Sequence, residues 1–335
     1  MGYQIAIKGT YRIKQHIISK KNLNRELMLK KTYLTIMMAA VLTACGHRAS
    51  TNGTSADTVT VDNDPVATEE VQQLTVDSIG LEREDSMAIV SISVDWPVNG
   101  NEALVKSIRQ YLCEELATDP ISESQPKPLM TDDGNEAVKN TVKQQYEKLT
   151  DMWKEAQEEG YGVGMTFSRY QRVALLENTA KYVTYLSKSE GFTGGAHGYA
   201  TAENATFRKS DGLRIGYRTE FNRETEKFEI KNQTLFKDAN SPKLHQLIKE
   251  NLRLFLADIE NSKQLSDEQM SEMLQVEDIN NIPLPSAPPC FSKKGLCFTY
   301  QQYEIASYAM GIISFDVPYD KIRPYLTAEA TELLP

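Results

Sequence analysis

The chain has 335 residues, with 46 acidic and 37 basic side chains and a net charge of −9. Residues 1–44 hold eight of the basic groups and one acidic group, which leaves 29 basic and 45 acidic groups, a charge of about −16, from Cys45 onward. Such an excess of negative charge argues against binding nucleic acid and favours a cationic partner.

Residues 1–27 are basic without a core pattern and read as an extension upstream of the true start. Met28 opens a more convincing beginning: Leu29, Lys30 and Lys31, the apolar run "YLTIMMAAVL", then Leu42-Thr43-Ala44-Cys45. A charged n-region, a short h-region and a small-residue processing site make residues 28–44 a secretory signal. The apolar run is too short to cross a bilayer as a helix, which needs about 20 residues. The residues ending at Cys45 resemble the bacterial lipobox, which implies a lipid on the Cys45 thiol and membrane attachment through it. No Asp follows Cys45 directly and no acidic run follows at once. By lipoprotein sorting rules this points to the periplasmic face of the outer membrane. Residues 45–79 are small and polar, too poor in apolar surface to offset their ordering entropy, and read as a flexible tether.

The globular part is expected from residue 80 to 328, as two intimate subdomains at 80–210 and 211–328. Ala88, Val90, Ile92, Val94 and Trp96 alternate as on a half-buried strand, with Pro97 as its stop. Leu104, Ile108 and Leu112 have helical spacing. After a polar loop, Val138, Val142, Tyr146, Leu149, Trp153 and Ala156 form the apolar stripe of a helix ending at Gly160. Strand and turn patterns then alternate to Phe221. Ser241-Pro242 begins a helix with Leu244, Leu247, Ile248, Leu252 and Phe255 inward, and Ser266 to Gln269 fits a capping box. The proline-rich "IPLPSAPPC" leads to strands "LCFTY" and "IISFDVP". Helix runs and strand runs that do not alternate predict an α+β fold with an antiparallel sheet packed against several helices.

Two stretches attract attention as sites. In "GFTGGAHGYA", Gly194, Gly195 and Gly198 surround His197 and offer positive φ or close backbone approach. A structural turn, with the ring pinning buried backbone groups, is the best-supported role for His197; a ligand-contact loop and catalysis stay open. A metal site needs three or four ligands, but His16 and His47 lie in the leader and tether, and His245 is expected on the exposed side of its helix. No base and acid accompany a nucleophile, and no cofactor signature is present. In "YQQYEIASYAMG", Tyr303, Glu304 and Tyr308 read equally as a recognition patch and as a packed strand edge. Cys290 and Cys297 flank "FSKKGL", which leaves a cross-hairpin disulfide and two free thiols open; Cys113 reads as a buried thiol.

Taken together, "GGAHG", "FN-x5-FEIKNQTLFKD" and "YEIA-x-YA-x-G" resemble the extracytoplasmic domain of the RsiV-like anti-sigma factors, that is, the paired domains of unknown function 4163 (80–210) and 3298 (211–328). Ser307 stands where relatives carry proline. The resemblance implies a non-enzymatic sensing or binding module, with a lysozyme-like muramidase or another cell-wall component as partner. The alternatives are a cell-wall glycan hydrolase or deacetylase-associated enzyme, and a passive envelope lipoprotein.

Overall fold

Alternation along Ala88, Val90, Ile92, Val94 and Trp96 buries all five side chains and builds a strand that runs on to Asn99. The computed structural model describes residues 73–120, 122, 126–222 and 227–335; Cys45, the signal segment and nearly all of the tether lie outside the described residues. Two strands open the described chain, β1 (Thr75–Glu84) and β2 (Ala88–Asn99), paired antiparallel along their whole length. The segment read as tether up to residue 79 is therefore strand from Thr75 onward. Its sequence hid this because β1 lies mostly exposed and lends only Val76 and Ile79 to the core. Pro97 does not stop β2, since β3 leaves β2 after Val94 and no ladder bond on that side is lost.

Helices α1 (Glu102–Ala117) and α2 (Gly134–Glu159) follow. The Asn101 side chain caps α1 by accepting from Leu104 N–H at 3.2 Å, and Asp133 caps α2 from Asn135 N–H at 2.9 Å. Gly160 ends α2 in the left-handed conformation, φ +79°. The two helices carry the chain across the sheet, so β3 (Phe167–Asn178) returns parallel to β2. This is one departure from the expected antiparallel sheet: the fold is α+β, but its six-stranded sheet is mixed. β4 (Tyr182–Phe192), β5 (Tyr199–Arg208) and β6 (Arg214–Ile215) complete it in antiparallel order. Side chains of α1, α2 and β2–β5, from Leu104 and Val138 to Phe207, fill the first core.

A hairpin of β7 (Arg218–Asn222) and β8 (Lys227–Lys231) leads to α3 (Pro242–Ile259) and α4 (Asp267–Met273). The Ser266–Gln269 capping box forms at the start of α4. Ser241 stands at the N-cap of α3 ahead of Pro242, but its hydroxyl makes no capping bond. A three-stranded antiparallel sheet, β9 (Cys290–Phe291), β10 (Leu296–Tyr300) and β11 (Ile313–Val317), packs with α3. Short helices α5 (Tyr319–Ile322) and α6 (Ala328–Thr331) close the chain. Leu333 and Leu334 are buried in this second core, so the packed unit continues past residue 328 to the end.

The second core reaches the six-stranded sheet through Tyr182 of β4. There the Thr206 hydroxyl accepts from Phe291 N–H at 3.1 Å, lies 3.0 Å from the Thr184 hydroxyl, and Thr184 donates to the Phe291 carbonyl at 2.9 Å. β4 and β5 are thus covered by helices on one face and by β9 on the other.

Candidate functional site

The loop between β4 and β5 and the loop between β10 and β11, distant in sequence, meet at the end of the six-stranded sheet. What joins them is a set of side-chain amides. Gln301 donates to the Ala202 carbonyl at 2.7 Å and accepts from Ala202 N–H at 3.0 Å, while Gln302 accepts from Ala200 N–H at 2.9 Å. The two side chains occupy the free edge of β5 as a paired strand would. Neither glutamine stands out in the sequence, because nothing in "QQY" marks an amide that imitates backbone.

With the loops docked, the His197 ring stacks on Tyr308 with centroids 3.9 Å apart and lies 6.3 Å from the Tyr303 ring. The Tyr308 hydroxyl donates to the Gly198 carbonyl at 3.0 Å, and His197 Nδ1 sits 2.9 Å from the same oxygen. Since Nδ1 must donate to a carbonyl, Nε2 of the neutral ring is left to accept, and the Tyr303 hydroxyl is 3.2 Å away. His197 and Tyr303 are both exposed, Tyr303 to 58%. His197 therefore pins its own turn, yet on the surface and not in the interior. No acid stands behind it in these contacts, and the hydroxyl nearest its Nε2 is that of Tyr303.

Tyr303 adopts φ +66°, a left-handed conformation that costs a non-glycine residue about 1 kcal/mol or more. Glu304 holds that turn. Its carboxylate accepts from Gln301 N–H at 2.6 Å and from Ser286 N–H at 2.5 Å. Burial raises its carboxyl above the ordinary range and these two donors pull it part of the way back. Glu304 is thus a clamp facing backbone, not a member of the exposed patch.

Of the three glycines around His197 only Gly194 has positive φ, +87°, where a Cβ would also lie 2.7 Å from the Phe167 ring. Gly198 is needed because a Cβ would meet the Gly191 carbonyl at 2.6 Å; Gly195 is open to solvent and requires neither freedom.

His245 is buried, contrary to expectation, with its ring nitrogens 2.6 Å from the Ile282 carbonyl and 2.9 Å from the Ala239 carbonyl. The proline-rich segment folds over that helix face and covers it. Cys290 and Cys297 face each other in register across β9 and β10 but stand as free thiols, so no bridge joins them. Their mutual hydrogen bond, then burial, raises Cys290; the same bond lowers Cys297, whose sulfur also lies 3.3 Å from the Ser314 hydroxyl. Cys113 is a buried thiol against the Thr131 carbonyl. Among the described residues no group of three or more His, Cys, Asp and Glu side chains is placed to hold a metal ion, and no helix is long and apolar enough to cross a membrane.

The fold and this patch define a mixed-sheet α+β protein with an exposed His–Tyr–Tyr surface held by two interlocked loops. Residues 233–320 match the family described as "Protein of unknown function (DUF3298)", so the chain carries a DUF3298 domain that includes Tyr303 and Tyr308. A solved member of the DUF3298 family from Bacteroides fragilis is similar in structure, with TM-score 0.57 and 15% identity over 78% of this chain and 97% of that one. A DUF3298 family protein from Pseudomonas aeruginosa gives TM-score 0.47 and 11% identity over 77% and 95% of the respective chains. No curated protein matches the sequence.

Proposed function

We infer that the described unit is a non-enzymatic binding module whose contact surface is the His197–Tyr303–Tyr308 patch. The observation that carries this reading is the exposed ring of Tyr303, held at a strained backbone position by the half-buried Glu304 clamp. A surface tyrosine ordered at that cost offers a rigid amphipathic contact with little entropy left to lose. The partner is a cationic protein of the lysozyme-like muramidase class. Support comes from the charge of about −16 from Cys45 onward, which speeds encounter with a basic partner, and from the resemblance of residues 80–210 and 211–328 to the RsiV-like domain pair. A lipid on Cys45 would tether the module to the outer membrane, facing the periplasm. Cys45→Ala should then release the protein from the membrane fraction, and unchanged membrane association would refute the anchor.

Calorimetry of residues 46–335 against lysozyme at physiological salt tests the binding. Tyr303→Gly is the informative variant, since it removes the ring and relieves the backbone. Loss of binding with unchanged or improved thermal stability is expected. No binding by the unaltered protein at micromolar concentration would retire the partner; binding that survives Tyr303→Gly and Tyr308→Ala would retire the patch.

A further inference from the structure

A polar seam runs between α1 and the face of β3–β5 beneath it, away from the aromatic patch. Register places Gln171, Ser189 and Thr201 side by side across three strands, and Val173, Ser187 and Glu203 in the next row. Glu115, near the C-terminal end of α1, faces the same rows. Between them lies a cavity of about 220 Å³, lined by Glu115, Glu203, Gln171, Ser189, Thr201 and the chain at 118–120.

Most charges around this cavity are already matched. Arg169, 2% exposed, lies 3.4 Å from the Asp119 carboxylate and donates to the Gln145 side chain at 2.8 Å and the Thr118 carbonyl at 2.5 Å. Lys148 pairs with the other Asp119 oxygen. Gln171 donates to the Glu115 carbonyl at 3.0 Å. Glu115 and Glu203 are different: among the described residues neither forms an ion pair within 4 Å. Ser187 donates a hydrogen bond to the Glu115 carboxylate, Arg214 of β6 acts on both from longer range, Arg169 on Glu115, and Glu304 on Glu203.

Two further observations indicate a ligand. Ser189 lines the cavity and is 94% buried, being 6% exposed, and its Oγ has no hydrogen-bond partner among the described residues, although it stands close enough to the Tyr199 hydroxyl to lower its pKa. Buried polar atoms are rarely left so, and the Tyr111 and Tyr185 hydroxyls along the same seam are unpartnered too. The C-terminal end of α1, a 16-residue helix, also opens here, and the helix dipole favours positive charge there.

We propose that this cavity is a binding site for a small primary ammonium compound carrying hydroxyl groups. The ammonium would sit between Glu115 and Glu203 at the helix terminus, and a hydroxyl would complete Ser189. Two acceptor carboxylates, a helix C-terminus and wall hydroxyls form a site that an anion or an apolar molecule would not fit. Burial and then the neighbouring Glu203 push the Glu115 carboxyl up to about 7, and burial raises Glu203 as well. The empty pair therefore retains a proton near neutrality, and an entering cation expels it.

Titration calorimetry of the purified protein with 2-amino-1,3-propanediol, and with glycerol as its uncharged counterpart, tests the assignment. Saturable binding with a dissociation constant on the order of 1 mM is expected for the amine and none for glycerol. Binding should weaken roughly tenfold or more in Glu203→Gln and in Glu115→Gln. In buffers of differing ionisation enthalpy the heat should report proton release, and affinity should rise between about pH 5.5 and about pH 7.5. Ser189→Ala, which removes one hydroxyl from the wall, should weaken binding too and keeps the test decisive if a carboxylate variant fails to fold. Failure of the amine to bind, equal binding of glycerol, or amine binding unchanged in the folded variants would overturn the proposal. None of these outcomes bears on lysozyme binding at the aromatic patch.

Discussion

Glu115 shows how one side chain can tie stability to pH. Its carboxyl holds a proton more tightly in the folded chain, at about 7 against an ordinary 4.5, so the native state carries more protons than the unfolded state between those values. Stability should therefore be greatest at the acid end of that window and fall as pH rises through it. Glu203 and Glu304 are raised as well and act with the same sign. Glu115→Gln removes the ionisation while keeping the shape. The variant should melt higher than the unaltered protein at about pH 8, with the difference shrinking towards about pH 4.5. Thermal melts by circular dichroism at both ends decide it, and a variant that melts lower at pH 8 would show the carboxylate to be a stabilising partner. Nothing in the sequence marked this residue, because Glu115 occupies an ordinary helical position and meets Glu203 only through a packing that brings α1 over β5.

Single elements differ in how far their sequences disclosed them. β2, α1, α2 and α3 were readable from apolar period alone, since each buries one face and leaves the other in water. The α4 capping box was readable because its bonds are local, between Ser266 and Gln269. β1 was not, because it is held by a neighbour and not by its own apolar face. The parallel joint of β2 and β3 was also hidden, since the direction of β3 is set by how two helices cross the sheet. At the candidate site, His197, Tyr303 and Tyr308 stood out by type, but their union depends on Gln301 and Gln302, which did not. The β9–β10 pair adds a chemical expectation. Cys297 is partly exposed and its thiol is lowered by Cys290, whereas Cys290 and Cys113 are buried and raised. Brief native treatment with iodoacetamide should alkylate Cys297 well ahead of the other two, since the thiolate is the nucleophile. Peptide mass spectrometry would show it, and even labelling of all three would contradict the arrangement.

For the molecule as a whole, the contact of Thr184, Thr206 and Phe291 makes the two cores mechanically interdependent. Both tryptophans, Trp96 and Trp153, belong to the first half, so their fluorescence reports that half alone. Leu252 is fully buried in the second core, and Leu252→Ala should cost about 2–5 kcal/mol. If the cores unfold together, the tryptophan midpoint in urea should move as far as the circular dichroism midpoint. A fluorescence midpoint that stays in place would mean that the halves melt separately. The amides of Gln301 and Gln302 matter on this scale in another way. A bare strand edge invites a second molecule to add its own strand, the first step towards aggregates. Here two side chains fill that vacancy from within, supplied by a loop more than 90 residues further along the chain. Replacing both glutamines with alanine should leave most of the native packing in place yet produce concentration-dependent particles in light scattering, making the residues that seat the aromatic patch also the guardians of colloidal behaviour.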